Sequence, residues 1–394
     1  MPSVIMRTAP GNSATPSRIR RTLRPWRCFL YIIMCAACLT ACAPSGVQAD
    51  GDTMRYARLL RLEHADSVVT ATVLDPWHEG RVLQRYALVP RGRTLPAGLP
   101  ADATVVNVPL RRAVSFTSVH AALLCDLGAA GRLLGVCDAG YVVSPAVRRL
   151  LDAGRLRDYG SSLTPHVERL MADSADALLV SPFENAGYGP AATAGIPLVA
   201  CADYMEDTPL GRAEWMKFYG LLFGCGDEAA ERFARVEAAY DSLRTAAAGA
   251  GRRPRLMTDL KMGSAWYVSG GRSYPAALYA DAGADYLFAR RQEHGAVPLD
   301  FETVYATAAD ADLWLVKYGA AADLTYAQMK ADFAPYAGFR PWRERKVWGC
   351  NTFAVPYYEE APFRPDLLLR DLVGIFHPGL LPGYRPRYFA PLRE

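Results

Sequence analysis

Two ten-residue stretches of this chain share a pattern that decides the fold. Residues 168–177 read ERLMADSADA and residues 302–311 read ETVYATAADA, so both follow the pattern E-x-(L/V)-x4-A-D-A. Each stretch is followed within three residues by an apolar run, Leu-Leu-Val at 178–180 and Leu-Trp-Leu-Val at 313–316. A helix that leads into a short buried strand is the repeating unit of α/β domains. Two copies of this unit therefore predict two similar lobes.

Short apolar runs alternate with helical stretches on both sides of the two copies. This alternation predicts an α/β fold with two Rossmann-like lobes, over residues 104–209 and 250–394. Helices are expected between the strands, for example over 120–127 and 167–171. The predicted strands are 113–116, 133–137, 177–181 and 197–201 in the first lobe, and 255–260, 313–318 and 346–350 in the second.

The segment between the lobes carries few turn signals. Between residues 212 and 247 the glycines are Gly220, Gly224 and Gly226, and residues 227–248 are rich in Ala, Glu, Arg and Leu, which favour helix. The sequence therefore predicts a single long backbone helix over 210–249. Because one helix joins the lobes, we expect modest closure on ligand binding rather than a wide hinge motion.

A different pattern precedes the first lobe. Residues 67–74 and 81–89 alternate apolar and polar side chains, and Asp75-Pro76-Trp77 separates them. Such alternation with a turn between is typical of antiparallel strands. Residues 54–103 are therefore predicted to form a small N-terminal β subdomain.

The amino terminus reads as a targeting segment. Residues 1–41 hold six arginines and no acidic residue, and the apolar run 28–41 is shorter than the roughly 20 residues that cross a bilayer as a helix. Residues 39–42 (LTAC) resemble a bacterial lipobox. We therefore expect a lipoprotein signal peptide over 1–41, lipidation at Cys42 and a tether over 42–53. The chain would be anchored at the extracytoplasmic face of the cell envelope by its lipid, not span the membrane.

Composition narrows the class of protein. The chain has 394 residues, 51% hydrophobic and 21% charged, which is typical of globular domains. Without the six arginines of the targeting segment, 38 basic residues face 40 acidic ones, so no basic surface for nucleic acid is expected. Five cysteines follow the tether, an odd and widely spread set that favours buried thiols over a disulfide framework: Cys125, Cys137, Cys201, Cys225 and Cys350.

Several further segments, taken in order, carry a family resemblance. They are 115–120 (SFTSVH), 127–129 (LGA), 134–136 (LGV), 167–170 (VERL), 175–180 (ADALLV), 209–218 (PLGRAEWMKF), 266–271 (WYVSGG), 281–288 (DAGADYLF), 301–304 (FETV) and 371–378 (DLVGIFHP). Together with the lipobox, they resemble the substrate-binding proteins of bacterial ABC importers for iron complexes and vitamin B12. The resemblance implies two α/β lobes on one rigid helix.

The same resemblance implies a role in transport without catalysis. It implies capture of an iron complex (a siderophore or haem) or a corrinoid, and delivery to an ABC permease dimer with its ATPase; no cofactor is expected, and the chain is expected to be a monomer. In that family one glutamate on each lobe pairs with permease arginines, and the matching residues are Glu168 and Glu302. The alternative is that each acid merely stabilises the first turn of its helix.

Ligands of open α/β sheets bind beyond the carboxyl ends of the strands, so the loops after the strands supply the candidates. Their aromatic rings suit a large flat ligand. His120 is expected either to act as a cap or packed side chain or to contact a bound metal centre. The ligand-binding candidates are Thr117, Ser118, Tyr141, Phe183, Tyr188, Tyr204, Trp266, Tyr267, Arg272, Tyr274, Tyr357 and Tyr358.

The residues leave two other functions as alternatives. A protein that captures bare zinc or manganese would bring several histidines together, and the six histidines here are scattered. A hydrolytic surface lipoprotein would show a nucleophile or metal motif, but the sequence holds neither G-x-S-x-G nor H-E-x-x-H. Both remain alternatives to the transport function.

Overall fold

The computed structural model describes residues 54–65, 67–95, 97–184 and 187–394. The predicted signal peptide, the lipidation at Cys42 and the tether lie outside the described residues. Among the helices that are described, none is long and apolar enough to cross a membrane.

A small sheet opens the described chain. Its strand order is β1-β2-β3-β4, with antiparallel pairing for the first two pairs and parallel pairing between β3 and β4. The sheet therefore extends to residue 108, past the predicted subdomain boundary at residue 103, because its last strand pairs in parallel with β3. Its strands are β1 Leu60–Ala65, β2 Val68–Leu74, β3 Val82–Pro90 and β4 Ala103–Val108.

The N-terminal lobe is built on a five-stranded parallel sheet. Its strand order is β7-β6-β5-β8-β9, so the direction of winding reverses between β5 and β8. Such a reversal leaves a crevice at the carboxyl ends of the two strands, called a switch point. The elements are β5 Ala113–Ser115, α1 Ser118–Asp126, β6 Leu133–Val136, α2 Pro145–Asp152, β7 Arg157–Asp158, α3 Val167–Ala172, β8 Ala177–Val180 and β9 Leu198–Ala200.

The small sheet covers the outer edge of this lobe. The buried hydroxyl of Tyr86, on β3, accepts a hydrogen bond from Ala200 N at 2.7 Å and donates to Leu198 O at 3.1 Å. A side chain thus satisfies the backbone groups that an edge strand would otherwise leave unpaired.

Three helices, not one, connect the lobes. The predicted single helix over 210–249 is wrong, because Gly224 adopts φ of +60° and ends the second helix. Glycine reaches this left-handed conformation without steric cost, which makes it a common helix terminator. The helices are α4 Pro209–Glu214, α5 Met216–Phe223 and α6 Gly226–Ala248.

The long helix α6 belongs to both lobes. Phe233 and Val236, in its first half, pack into the hydrophobic core of the N-terminal lobe. Tyr240, Leu243 and Ala247, in its second half, pack into the core of the C-terminal lobe. One rigid helix therefore braces both lobes, although it is shorter than predicted.

The C-terminal lobe carries a second five-stranded sheet, in the order β13-β10-β15-β16-β17. Its first four strands are parallel and β17 is antiparallel, while β11, β12 and β14 form a separate antiparallel sheet. The winding reverses between β10 and β15, which gives this lobe its own switch point. The elements are β10 Arg255–Thr258, β11 Lys261–Met262, β12 Ala265–Ser269, α7 Tyr274–Asp281, β13 Asp285–Tyr286, β14 Ala296–Leu299, α8 Phe301–Ala308, β15 Leu313–Tyr318, α9 Tyr326–Asp332, α10 Arg340–Arg343, β16 Val347–Asn351, α11 Tyr357–Glu360, α12 Pro365–Phe376 and β17 Ala390–Pro391.

The prediction of two α/β lobes is confirmed. Every strand predicted in the lobes is present, with bounds that differ by at most two residues. The five cysteines are free thiols, and all but Cys125 are buried.

Candidate functional site

The carboxyl edges of the two main sheets meet where α1 contacts α11. We call the surface that these two edges share the cleft. Several large apolar side chains are exposed in the segments that follow the parallel strands, including the antiparallel strands β11 and β12 that follow β10. They are Tyr141, Leu163 and Phe183 on the N-terminal lobe, and Met262, Tyr267, Phe353 and Tyr358 on the C-terminal lobe. Exposed apolar groups clustered at a crevice indicate a binding site.

A pocket of about 300 Å³ lies at the switch point of the N-terminal lobe. We call it the N-lobe pocket. It brings together three of the predicted ligand-binding residues, Thr117, Phe183 and Tyr188, from the loops after β5 and β8. The described residues that line it carry no charge: Phe116, Thr117, Ser162, Leu163, Ser181, Phe183, Gly187, Tyr188 and Gly189.

Hydrogen bonds from two tyrosine hydroxyls hold the loop after β8 in place. Tyr188 Oη donates a hydrogen bond to Ser181 O at 3.3 Å, and Tyr204 Oη donates to Pro182 O. The ring of Tyr204 also lies 6.5 Å from that of Phe183. Tyr204 therefore supports the loop that forms the pocket wall, and it is not among the residues that line the pocket.

A buried network of polar side chains contacts Thr117. Thr117 Oγ1 lies 2.8 Å from His120 Nδ1, and His120 Nε2 lies 2.9 Å from Asp203 Oδ1. Tyr219 Oη donates to the same Asp203 oxygen at 2.8 Å, and Arg212 Nε lies 3.3 Å from Asp203 Oδ2. Both ring nitrogens of His120 are engaged and the side chain is buried, so it is a packed side chain and does not reach a ligand.

The charges in this network stabilise each other. Burial alone would lower the pKa of His120, but the neighbouring Cys201 and the Asp203 carboxylate raise it to about 10. Burial alone would raise the pKa of Asp203, but the charges of His120 and Arg212 hold it below its usual range. At neutral pH the pair is therefore an imidazolium and a carboxylate.

The switch point of the C-terminal lobe carries an ion pair. Lys317 Nζ, near the end of β15, lies 2.7 Å from Asp259 Oδ1, directly after β10, and each side chain is about one-fifth exposed. Asp259 has φ of +62°, a left-handed conformation that is uncommon for a residue other than glycine. The indole nitrogen of Trp314 donates to Asp259 O at 2.8 Å and holds this turn.

Sequence reasoning missed this ion pair. Asp259 lies within the stretch predicted as strand 255–260, and the strand in fact ends at Thr258. Lys317 is the one charged residue in the apolar strand LWLVKY, a signal that could have singled it out. The two residues lie 58 positions apart, so the sequence does not show that they pair.

Trp266 was predicted to contact ligand, and the structure corrects this. The side chain is 0% exposed, its ring stacks 5.7 Å from that of Trp314, and its indole nitrogen donates to Thr258 O at 3.0 Å. Trp266 is thus part of the core beneath the Asp259 turn. Its neighbour Tyr267 points to the opposite side of β12 and is exposed.

Other predicted ligand residues lie where the lobes meet. Ser118 is the first residue of α1 and lies close to Glu359, whose Oε1 accepts a hydrogen bond from Val143 N at 3.0 Å. Burial raises the pKa of Glu359. Tyr274 lies under the guanidinium of Arg212, with Cζ 5.7 Å from the ring centroid. These contacts link the lobes at the floor of the cleft.

The remaining candidates divide by exposure. Tyr141 and Tyr358 are 75% and 57% exposed and stand free on opposite lobes. Tyr357 packs against Tyr388 and Phe389 and supports Tyr358 from behind. Arg272 is exposed on the loop before α7, and its backbone N donates to Glu293 O at 3.2 Å.

The two predicted docking acids occupy matching places. Glu168 lies in the first turn of α3 and Glu302 in the first turn of α8, and both are exposed. Each helix leads into a parallel strand, so its amino end lies at the carboxyl edge of the sheet, on the cleft side. Among the described residues, neither carboxylate has an ion-pair partner.

A larger cavity, of about 1170 Å³, lies elsewhere, between the small sheet and the segment that leads into α4. Acidic and basic side chains both line it, and several are paired, such as Arg85 with Asp102 and His294 with Asp207 at 2.8 Å. It touches neither switch point. The N-lobe pocket, although smaller, lies where the fold places ligands, and we assign the candidate site there.

In the described part of the chain, no three or more His, Cys, Asp or Glu residues are grouped so that they could hold a metal ion.

Comparison with known proteins places this geometry in context. The sequence profile described as periplasmic binding protein matches residues 114–347, more than half of the chain. An uncharacterized lipoprotein of Methanocaldococcus jannaschii is 27% identical over 301 residues, 72% of this chain and 69% of the relative.

Solved structures share the fold at low sequence identity. A periplasmic binding protein from Veillonella parvula superposes with a TM-score of 0.59 at 14% identity, covering 79% of this chain and 98% of that one. IsdE of S. aureus in complex with haem gives 0.54 at 16% identity, covering 68% and 98%. An ABC-type Fe3+-hydroxamate transport protein from Saccharomonospora viridis gives 0.53 at 17%, covering 68% and 94%.

Proposed function

Because the chain belongs to the periplasmic binding protein family and is a substrate-binding protein of the ABC-transporter type, we propose that it captures an intact metal complex in the cleft. The cargo would be an iron complex, either a siderophore or haem, or a corrinoid, handed on to a permease dimer with its ATPase. The protein would perform no chemistry on it.

One observation carries the proposal: each lobe places exposed aromatic side chains at its own switch point. Phe183 lines the N-lobe pocket, and Tyr358 stands free on the opposite lobe. An aromatic side chain buries roughly 150 to 250 Å² when a ligand covers it. Rings on both sides of a cleft suit a large, partly flat ligand. That similarly folded proteins are described as binding haem or transporting Fe3+-hydroxamate supports the same class of cargo.

The architecture favours a small change on binding. The helix α6 contributes to both cores, and Glu359 of the C-terminal lobe already bonds Val143 N of the other lobe. A wide hinge motion would break these contacts. The cleft would therefore close by a modest adjustment of the loops and of the lobe angle.

Glu168 and Glu302 are proposed to dock the loaded protein on the permease. One free carboxylate on each lobe, both on the cleft side, can meet two arginine forks related by the permease twofold axis. Acids in the first turn of a helix also favour the helix dipole, by about 0.3 to 1 kcal/mol. That effect explains neither their matching placement in both lobes nor their lack of partners.

Anchoring through a lipid on Cys42 is part of the same proposal. The relative from Methanocaldococcus jannaschii is described as a lipoprotein, which supports it. A monomer held at the extracytoplasmic face by its lipid would keep the cargo close to the permease.

The test is direct capture. The full-length chain, purified in detergent, is incubated with haem, with cyanocobalamin and with ferric siderophores, and the absorption of the protein peak is recorded after gel filtration. We expect one of these complexes to coelute in a one-to-one ratio. Phe183→Ala should weaken binding about tenfold, whereas Leu95→Ala, equally exposed at 56% but in the loop between β3 and β4, should not. Failure of every complex to coelute would refute the proposal.

A further inference from the structure

The N-lobe pocket offers hydrogen bonds but no charge. Its hydroxyl groups belong to Thr117, Ser162, Ser181 and Tyr188, and none of the described lining residues is ionisable near neutral pH. A ligand seated here would exchange water for neutral donors, acceptors and aromatic surface.

Thr117 presents a donor to the pocket. The imidazolium of His120 carries a proton on both ring nitrogens, and Nδ1 lies 2.8 Å from Thr117 Oγ1. The threonine oxygen therefore accepts from His120, which leaves the Thr117 hydroxyl proton free for the ligand. The ligand should present an acceptor oxygen or nitrogen at this point.

At the switch point of the C-terminal lobe, the end of β15 carries a charge that is paired. Lys317 is a cation at this switch point, and Asp259 neutralises it at 2.7 Å. Burial opposes the charge of Lys317, but the neighbouring Asp259 favours it, so the pKa of the lysine is raised and its ammonium stays protonated. The pair therefore adds no net charge to the cleft.

From this balance of charges we infer that the cleft selects a metal complex without net charge and discriminates against polyanionic complexes. The inference rests on the proposed function and narrows its cargo. Removing a polyanion from water is costly unless unpaired cations receive it. A neutral ferric trihydroxamate, or a corrinoid whose internal charges cancel, loses less hydration and can be held by the aromatic rings and the hydroxyl groups.

The inference is tested by two ferric complexes that differ in charge. The intrinsic tryptophan fluorescence of the full-length chain in detergent is titrated with ferrichrome, a neutral trihydroxamate, and with ferric enterobactin, a trianionic tris-catecholate. Cyanocobalamin serves as a second neutral probe. We expect at least one neutral complex to bind at least tenfold more tightly than the tris-catecholate.

The outcomes separate this inference from the proposed function. Equal or tighter binding of the tris-catecholate overturns the inference and leaves the proposed function standing. If that binding is lost in Arg272→Gln, the exposed Arg272 is the cation that receives the anion. If no metal complex binds, the proposed function falls and the inference falls with it.

A variant tests the role of the ion pair directly. Asp259→Asn removes the neutralising charge, and asparagine tolerates the left-handed backbone at this position. We expect the preference for the neutral complex to fall by about tenfold, because Lys317 is then a free cation in the cleft. The control is Asp102→Asn, which frees Arg85 on the small sheet and should not change the preference. An unchanged preference in Asp259→Asn would contradict the inference.

Discussion

The switch points of the two lobes differ in the burial of their charged side chains. In the N-terminal lobe the charges of His120 and Asp203 are buried, and the described residues that line the pocket are uncharged. The C-terminal lobe keeps Lys317 and Asp259 partly exposed at the cleft itself. The two lobes therefore share one α/β frame but differ in the electrostatics of their switch points.

Glu168 and Glu302, the proposed docking acids, are the feature in which the two lobes should be alike, and their loss has the largest expected effect on transport. Truncating one buried charge pair at an interface typically costs about 2 to 5 kcal/mol. Glu168→Lys and Glu302→Lys together should therefore reduce uptake of the cargo by cells at least a hundredfold, with ligand binding intact. Each single variant should also reduce uptake, by a smaller factor than the double variant.

The control for this prediction is Glu228→Lys. Glu228 is also an exposed acid in the first turn of a helix, α6, but it does not correspond in position to Glu168 or Glu302. Uptake should be normal in this variant. Normal uptake in the double variant would show that the two acids act on their helices alone.

Stability should separate the two ion pairs. Asp203 is wholly buried, so Asp203→Asn leaves the charge of His120 uncompensated and should lower the free energy of unfolding by about 3 to 5 kcal/mol. Asp259→Asn breaks a partly exposed pair and should cost about 1 kcal/mol or less. Urea denaturation measures both. Equal losses would mean that the pairs do not differ in burial as described.

Neighbouring aromatics on one strand should behave oppositely. Trp266→Phe removes the donor to Thr258 O and should lower the free energy of unfolding by about 1 to 3 kcal/mol. Tyr267→Phe, one residue along and exposed, should change it by less than about 0.5 kcal/mol. Thermal unfolding followed by circular dichroism is the measurement, and the reverse order would place Trp266 outside the core.

The last prediction is a pH dependence of stability. The pKa of His120 is about 10 in the folded protein and about 6.5 when unfolded, so its stabilisation is complete below pH 6.5 and is lost as pH rises through 10. The difference in unfolding free energy between the wild type and His120→Gln should therefore shrink from pH 6.5 to pH 10. A difference that grows over this interval would mean that His120 is neutral in the folded state.

Much of the fold could be predicted because parallel strands buried on both faces form continuous apolar runs. The strand Leu313–Tyr318 was predicted to the residue for this reason. The break at Gly224 could not be predicted, since a glycine can continue a helix or end it, and the packing of α5 on α6 decides which.

The site was predicted less completely. The loops after β5 and β8 were found by topology alone, and they bring Thr117, Phe183 and Tyr188 together. Trp266 was misassigned because successive residues of a strand face opposite sides, and the sequence does not show which side is covered. The partner of Lys317 comes from another strand and needs the tertiary structure.

The central claim is that the cargo sits between the two switch points. Crystals of the full-length chain soaked with the metal complex that binds most tightly would locate the metal by its anomalous scattering. We expect a single metal peak between the N-lobe pocket at Thr117 and the ion pair of Lys317 and Asp259. A peak in the larger cavity beside the small sheet, or one away from both switch points, would contradict it.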